Sequence, residues 1–140
     1  MFRSGLAVVG ATVLCASGCG DGVAERKARA AVCSGRADIH ATIARLRATP
    51  AARVRNAKVT EEVQSILADV ASMRKQVSSL SGSERRLVWT GTATFEALAA
   101  QLDLGRPEGF DWEANPVGNM RSLNETLDGM VHKTLSKIDC

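Results

Sequence analysis

Seven apolar residues, Val59, Val63, Ile66, Val70, Met73, Val77 and Leu80, follow one another at steps of 4, 3, 4, 3, 4 and 3. That spacing is the a/d seam of an α-helix packed along its length against other helices. The stretch Val59–Leu80 holds 22 residues, a rod of ~33 Å at helical rise. A seam of this length cannot bury itself, so the rest of the chain must supply partner helices.

The remaining sequence supplies three more helical patterns. Val32, Ile39, Ile43 and Leu46 share one face of a helix running from about Val23 to Ala48. Leu87, Gly91, Phe95, Leu98 and Leu102 fit a third helix. Residues 87–95 also alternate in the manner of a strand, with Thr90, Thr92 and Thr94 between the apolar positions, but no second strand candidate exists to pair with it. Met120, Leu123, Leu127, Met130/Val131 and Ile138 make the face of a fourth. Aromatic residues are only 4% of the chain, so the core is built from Val, Leu, Ile, Met and Ala. The expected fold is all-α: an antiparallel up-down bundle, four helices, preceded by an N-terminal signal segment.

The connections are punctuated by capping residues. Thr49-Pro50 suits an N-cap followed by the first helical position, which starts helix two there rather than at Thr60. Ser81-Gly82-Ser83 ends helix two with Gly82 at C′ and starts helix three with Ser83 as N-cap and Glu84 in the first turn. So short a link makes helices two and three antiparallel neighbours. Asn115-Pro116 opens helix four with the same cap-plus-proline pattern, after a loop at residues 105–115.

Charge is unevenly spread along the chain. From Glu25 to Lys58 there are nine bases and two acids; from Val59 onward there are eight bases and twelve acids. Arg26, Lys27 and Arg29 sit at the N-terminal end of helix one, which is unfavourable for the helix dipole. Either the helix begins later, near Ala30, or something anionic compensates, with membrane headgroups as the candidate; a solvated charged face is the plainer reading. Arg45, Arg47, Arg53 and Arg55 gather around the turn between helices one and two. They are the candidates for binding an anionic ligand such as a wall polymer, as point charges and guanidinium forks on phosphate.

The first residues carry an address. Arg3 is a positive n-region, and Gly5 to Ala16 form an apolar h-region too short to span a bilayer. Ala16-Ser17-Gly18-Cys19 follows. Small residues directly before a cysteine resemble the lipobox of bacterial lipoproteins, with Ala16 standing where that family prefers Leu. The resemblance implies that the signal, residues 1–18, is removed and that Cys19 receives a diacylglycerol. Residues 19–30 would then be the lipidated cysteine and its tether, and residues 31–140 the bundle domain. The lipobox, the run Cys33-Ser34-Gly35-Arg36-Ala37-Asp38-Ile39 and the heptads after Lys58 together resemble small lipoproteins and secreted helical proteins of high-G+C Gram-positive bacteria. This implies an extracytoplasmic, membrane-anchored location and a helical fold, not an activity. A secreted helical protein without lipid is the alternative.

Of the four cysteines, Cys15 leaves with the signal and Cys19 carries lipid, so Cys33 and Cys140 remain. Outside the membrane disulfides persist. In a four-helix up-down bundle the first helix starts where the fourth ends, which brings Cys33 and Cys140 to one end. The pair is therefore expected to be bonded.

No catalytic constellation is found. His40 and His132 are far apart and lack Cys or acid partners at metal-ligand spacing, so no metal and no cofactor is expected. Nucleophile-elbow, phosphate-loop and His-Glu-x-x-His motifs are missing. Phe110 and Trp112, set among Glu108, Asp111 and Glu113, are interaction-loop candidates; the competing reading has both rings folded back over the open end of the core. The expectation is a non-enzymatic interaction or structural module of the cell envelope. Its expected partners are the membrane through Cys19 and an envelope protein or anionic wall polymer, with no nucleic acid.

Overall fold

The computed structural model describes residues 19–140, with side chains described from residue 22. The expected signal peptide and the lipobox residues Ala16-Ser17-Gly18 lie outside the described residues. Four helices follow in order: α1 (Cys19–Ala48), α2 (Asn56–Lys75), α3 (Gly82–Gln101) and α4 (Pro116–Thr134). No strand occurs among the described residues, and residues 87–95 are helical. Each helix lies beside two others, α1 and α3 each contacting α2 and α4. Cross-helix contacts fix the directions. Arg45 meets Glu62, and Gly35 backs onto Met73 near the far end of α2. Arg74 meets Glu96, Gly91 meets Thr134, and Arg47 meets Asp128. Neighbouring helices therefore run antiparallel, and the bundle is up-down-up-down.

The heptad seam is the centre of the core. Val59, Val63, Ile66, Val70, Met73 and Leu80 are buried, and Val77 packs against them half-buried. The helix does not run the full length of the seam. It stops at Lys75; a 3-10 turn covers Val77–Ser79, and Leu80 is extended. The seam survives because this turn reverses the chain while returning Leu80 to the interior. The Arg85 Nε donates to the Leu80 carbonyl at 2.6 Å, and its guanidinium reaches that of Ser78, which gives carbonyls of the turn a donor. The N-cap position of α3 is Ser81 rather than Ser83, and its hydroxyl bonds Glu25 of α1 at 2.5 Å instead of capping. Gly82 belongs to the start of α3, not the end of α2, and its φ of +55° is one glycine tolerates.

Three further expectations are corrected. Helix α1 begins at Cys19 rather than at about Val23, and Ala28 in it is buried. Helix two starts at Asn56, not at Thr49-Pro50. The Thr49 hydroxyl donates to the Arg45 carbonyl and closes α1. A 3-10 turn at Ala51–Arg53 then carries Val54 into the core at 2% exposure, which an immediate helix start would not have done. The buried face of α3 is Val88, Gly91, Thr92, Phe95 and Ala99, while Leu87 and Leu102 stay outside. Thr92 enters the interior because its hydroxyl donates to the Val88 carbonyl at 2.7 Å, so that hydroxyl is not left unpaired. Gly91 brings α4 close: a Cβ there would stand 3.0 Å from the Thr134 carbonyl oxygen.

The opening of α4 is as the sequence predicts. The Asn115 side chain accepts the Gly118 N–H, and Pro116 takes the first helical position. At the far end Cys33 and Cys140 are bonded, with Cα atoms 5.6 Å apart. Cys33 lies well inside α1, roughly four turns from its first residue, so α1 projects past the disulfide.

Candidate functional site

Two groups of candidate residues far apart in sequence meet at one end of the bundle. The α1–α2 turn brings Arg45, Arg47, Arg53 and Arg55 there, and the 102–115 connection folds across the start of α2. Asn56 is the meeting point. Its side-chain carbonyl accepts the Trp112 N–H at 2.7 Å, its amide donates to Asp111, and its own backbone N–H donates to the Glu113 carboxylate. The last bond serves one of the helix-start N–H groups that have no partner within α2. The Gln64 amide donates to Glu108, and that of Asn119 to the Asp111 carbonyl. The acidic residues of the loop thus hold it to the bundle.

The two aromatic candidates divide between their two readings. Trp112 is 6% exposed and closes the end of the core with Leu104. Phe110 is 52% exposed and stands over it, ring centroids 4.5 Å apart and planes tilted by 51°. A groove of about 460 Å³ opens beside Phe110, lined by Leu102, Leu104, Arg106, Trp112, Leu123 and Thr126.

The arginines are brought to one end but are not left free as a group. Arg45 pairs with Glu62 at 3.0 Å and also donates to Thr42. Arg47 pairs with Asp128. Arg55 lies 3.7 Å from Glu113 and donates to the Val54 carbonyl at 2.7 Å. Only Arg53 has no partner among the described residues. Glu62 is the most buried of these acids. Burial alone would raise its carboxyl, but hydrogen bonds from Arg45 and Lys58 outweigh that and hold it below the usual glutamate range. Lys58 bridges Glu62 and Glu61, and those bonds raise its ammonium.

Next along the α1–α2 contact lies an unfavourable pair. Burial first, and then the neighbouring Asp38 carboxylate, push the Asp69 carboxyl up, and Arg45 offsets only part of this. His40 and His132 are both exposed. Among the described residues no three His, Cys, Asp or Glu side chains converge as metal ligands.

Asn56, Gln64, Glu62 and Asp128 are the site residues that sequence reasoning missed. An asparagine at the start of a helical run is a visible capping signal, but here it serves another segment. The partners of Arg45 and Arg47 carry no local signal. No family model matches the chain, and no curated protein or solved structure matches it either.

Proposed function

We propose that this chain is a lipid-anchored helical module on the extracytoplasmic face of the cell membrane, non-enzymatic, and serving as an interaction or structural component of the envelope. The observation that carries the reading is the division of the cysteines. Cys33 and Cys140 form a disulfide across the bundle, a bond that persists in oxidising compartments. Cys19 follows a signal-like segment that ends in small residues. No helix among the described residues is long and apolar enough to cross a membrane. Binding of an anionic wall polymer at the α1–α2 turn finds less support, because three of its four arginines already face carboxylates.

The test is fractionation of the native cells with mass analysis of the N-terminal peptide. The expected result is membrane-bound protein whose first residue is a diacylglyceryl-modified Cys19, and release or failure of processing in Cys19→Ser. Wild-type protein found in the soluble fraction, with an unmodified N-terminal peptide, would leave only the secreted form.

A further inference from the structure

The fold redistributes charge in a way the linear sequence does not show. At the end that holds the α1–α2 turn and the long loop, residues 45–62 and 101–128 bring seven bases against eight acids. The basic segment of the sequence is neutralised there by pairs to Glu62, Glu113 and Asp128. At the opposite end, residues 19–30, 75–86 and 135–140 bring seven bases against four acids, Asp21, Glu25, Glu84 and Asp139. Two of those acids are engaged, Glu25 with the Ser81 hydroxyl and Glu84 with Arg29, and Asp139 also lies near Arg29. Arg26, Lys27 and Arg86 are exposed and have no partner among the described residues; Arg85 is exposed and contacts only carbonyl oxygens.

We propose that this basic end of the bundle is a docking surface for anionic membrane lipid, met end-on by the first turns of α1 and α3. The proposal rests on the anchoring reading above, which puts Cys19 at the same end. The Glu25–Ser81 and Arg29–Glu84 contacts set the start of α3 level with residues 25–29 of α1. That level is about 9 to 15 Å along the helix axis from Cys19, one to two screening lengths at physiological salt. Both α1 and α3 begin at this end, and side chains on a helix lean toward its N-terminus. Arg26 and Lys27 on one side of the bundle and Arg85 and Arg86 on the other therefore lean toward the same plane. Between Cys19 and these bases, Val23 is 41% exposed. An anionic headgroup layer also relieves the clash of Arg26 and Lys27 with the positive end of the α1 dipole. The resulting posture stands the bundle upright and turns Phe110 and its groove away from the membrane.

The test compares vesicles of phosphatidylcholine alone with vesicles that also contain phosphatidylglycerol, using the full chain purified from its native cells. Partitioning is expected to favour the anionic vesicles by roughly tenfold or more at low salt, from about fivefold per base held near the surface. Raising the salt should erase the preference. Arg26→Glu, Lys27→Glu and Arg86→Glu combined should abolish it with unchanged helicity and an intact disulfide. Arg53→Glu with Arg106→Glu, at the other end, should leave it intact. Equal partitioning onto both vesicles, or equal loss from either set of reversals, overturns the proposal. So does a case in which soluble polyphosphate binds through the three bases while the vesicles do not differ, which would mark the end as a polymer site. The two readings separate cleanly. A lipidated chain without lipid preference removes the dock and keeps the anchor, whereas an unmodified chain with the preference removes the anchor and keeps the dock.

Discussion

The side-chain carbonyl of Asn56 accepts the backbone N–H of Trp112 at 2.7 Å, tying the first turn of α2 to the middle of a loop 56 residues away in sequence. The same side chain reaches Asp111, and the Asn56 backbone is served by Glu113. One residue thus seats the loop, places Trp112 over the core and leaves Phe110 outside.

Asn56→Ala should therefore loosen the loop more than the bundle. It strands a partly buried N–H, a loss of about 1–2 kcal/mol. Hydrogen exchange is expected to quicken at residues 105–115 and at the start of α2 while the centre of α2 stays protected. Unchanged protection at Trp112 would show that the loop is held by its apolar contacts alone.

Two carboxyls make opposite contributions to the pH dependence of stability. Glu62 is held below the usual range, so its stabilisation is full above the unfolded-state value and disappears as pH falls through the folded one. Asp69 is pushed up, so its ionised form costs stability above the folded value, and the cost vanishes on acidification. Glu62→Gln should lose about 1 kcal/mol at neutral pH and soften acid unfolding. Asp69→Asn should gain on the order of 0.5 kcal/mol at neutral pH and nothing in strong acid. Denaturant titrations across the acid range check both signs; a destabilised Asp69→Asn at neutral pH would contradict the unfavourable facing of Asp38.

Two helical glycines should respond oppositely. At Gly91 an added Cβ would stand 3.0 Å from the Thr134 carbonyl oxygen, so Gly91→Val must push α3 off α4, at a cost of about 1–3 kcal/mol. At Gly129 nothing lies within 4 Å, and Gly129→Ala should gain up to about 1 kcal/mol from helix propensity. Melting temperatures of the two variants decide the matter, and movement in the same direction would mean that the α3–α4 approach is not close.

The disulfide joins residues 107 apart in sequence. Closing a loop of that size lowers the freedom of the unfolded chain by up to about 4.7 kcal/mol. Cys140→Ser should lose about 2–4 kcal/mol yet keep its helices, because Ile138 is buried and its carbonyl is bonded by Arg36. Unfolding with and without reductant should reproduce that difference in the wild type. Two reactive thiols in the unreduced native chain would remove it.

Much of the architecture is local and was legible in the residues. The 4-3 spacing from Val59 to Leu80 specifies a buried seam whatever packs against it, because helical rotation per residue is constant. Asn115-Pro116 opens α4 because cap and proline act within one turn. The Cys33–Cys140 pairing followed from cysteine count and the even number of helices. What the residues concealed depends on how helices are rotated against one another. Thr92 is buried and Leu87 exposed on α3 because the backbone accepts one hydroxyl and α4 approaches at Gly91. Val54 draws the chain into the core before α2 begins.

Charge shows the division most plainly. Composition along the chain makes residues 25–58 basic, and the sequence alone determines that. Which of those bases meet an acid was decided only by tertiary structure. Arg45 meets an acid 17 residues on and Arg47 one 81 residues on, because antiparallel packing places α2 and α4 beside the end of α1. Arg26 and Lys27 meet none among the described residues, since the acid of the neighbouring turn, Glu84, pairs with Arg29 instead. Periodicity is a property of one helix, whereas an ion pair needs two helices in a definite register, and that register exists only once the core has packed.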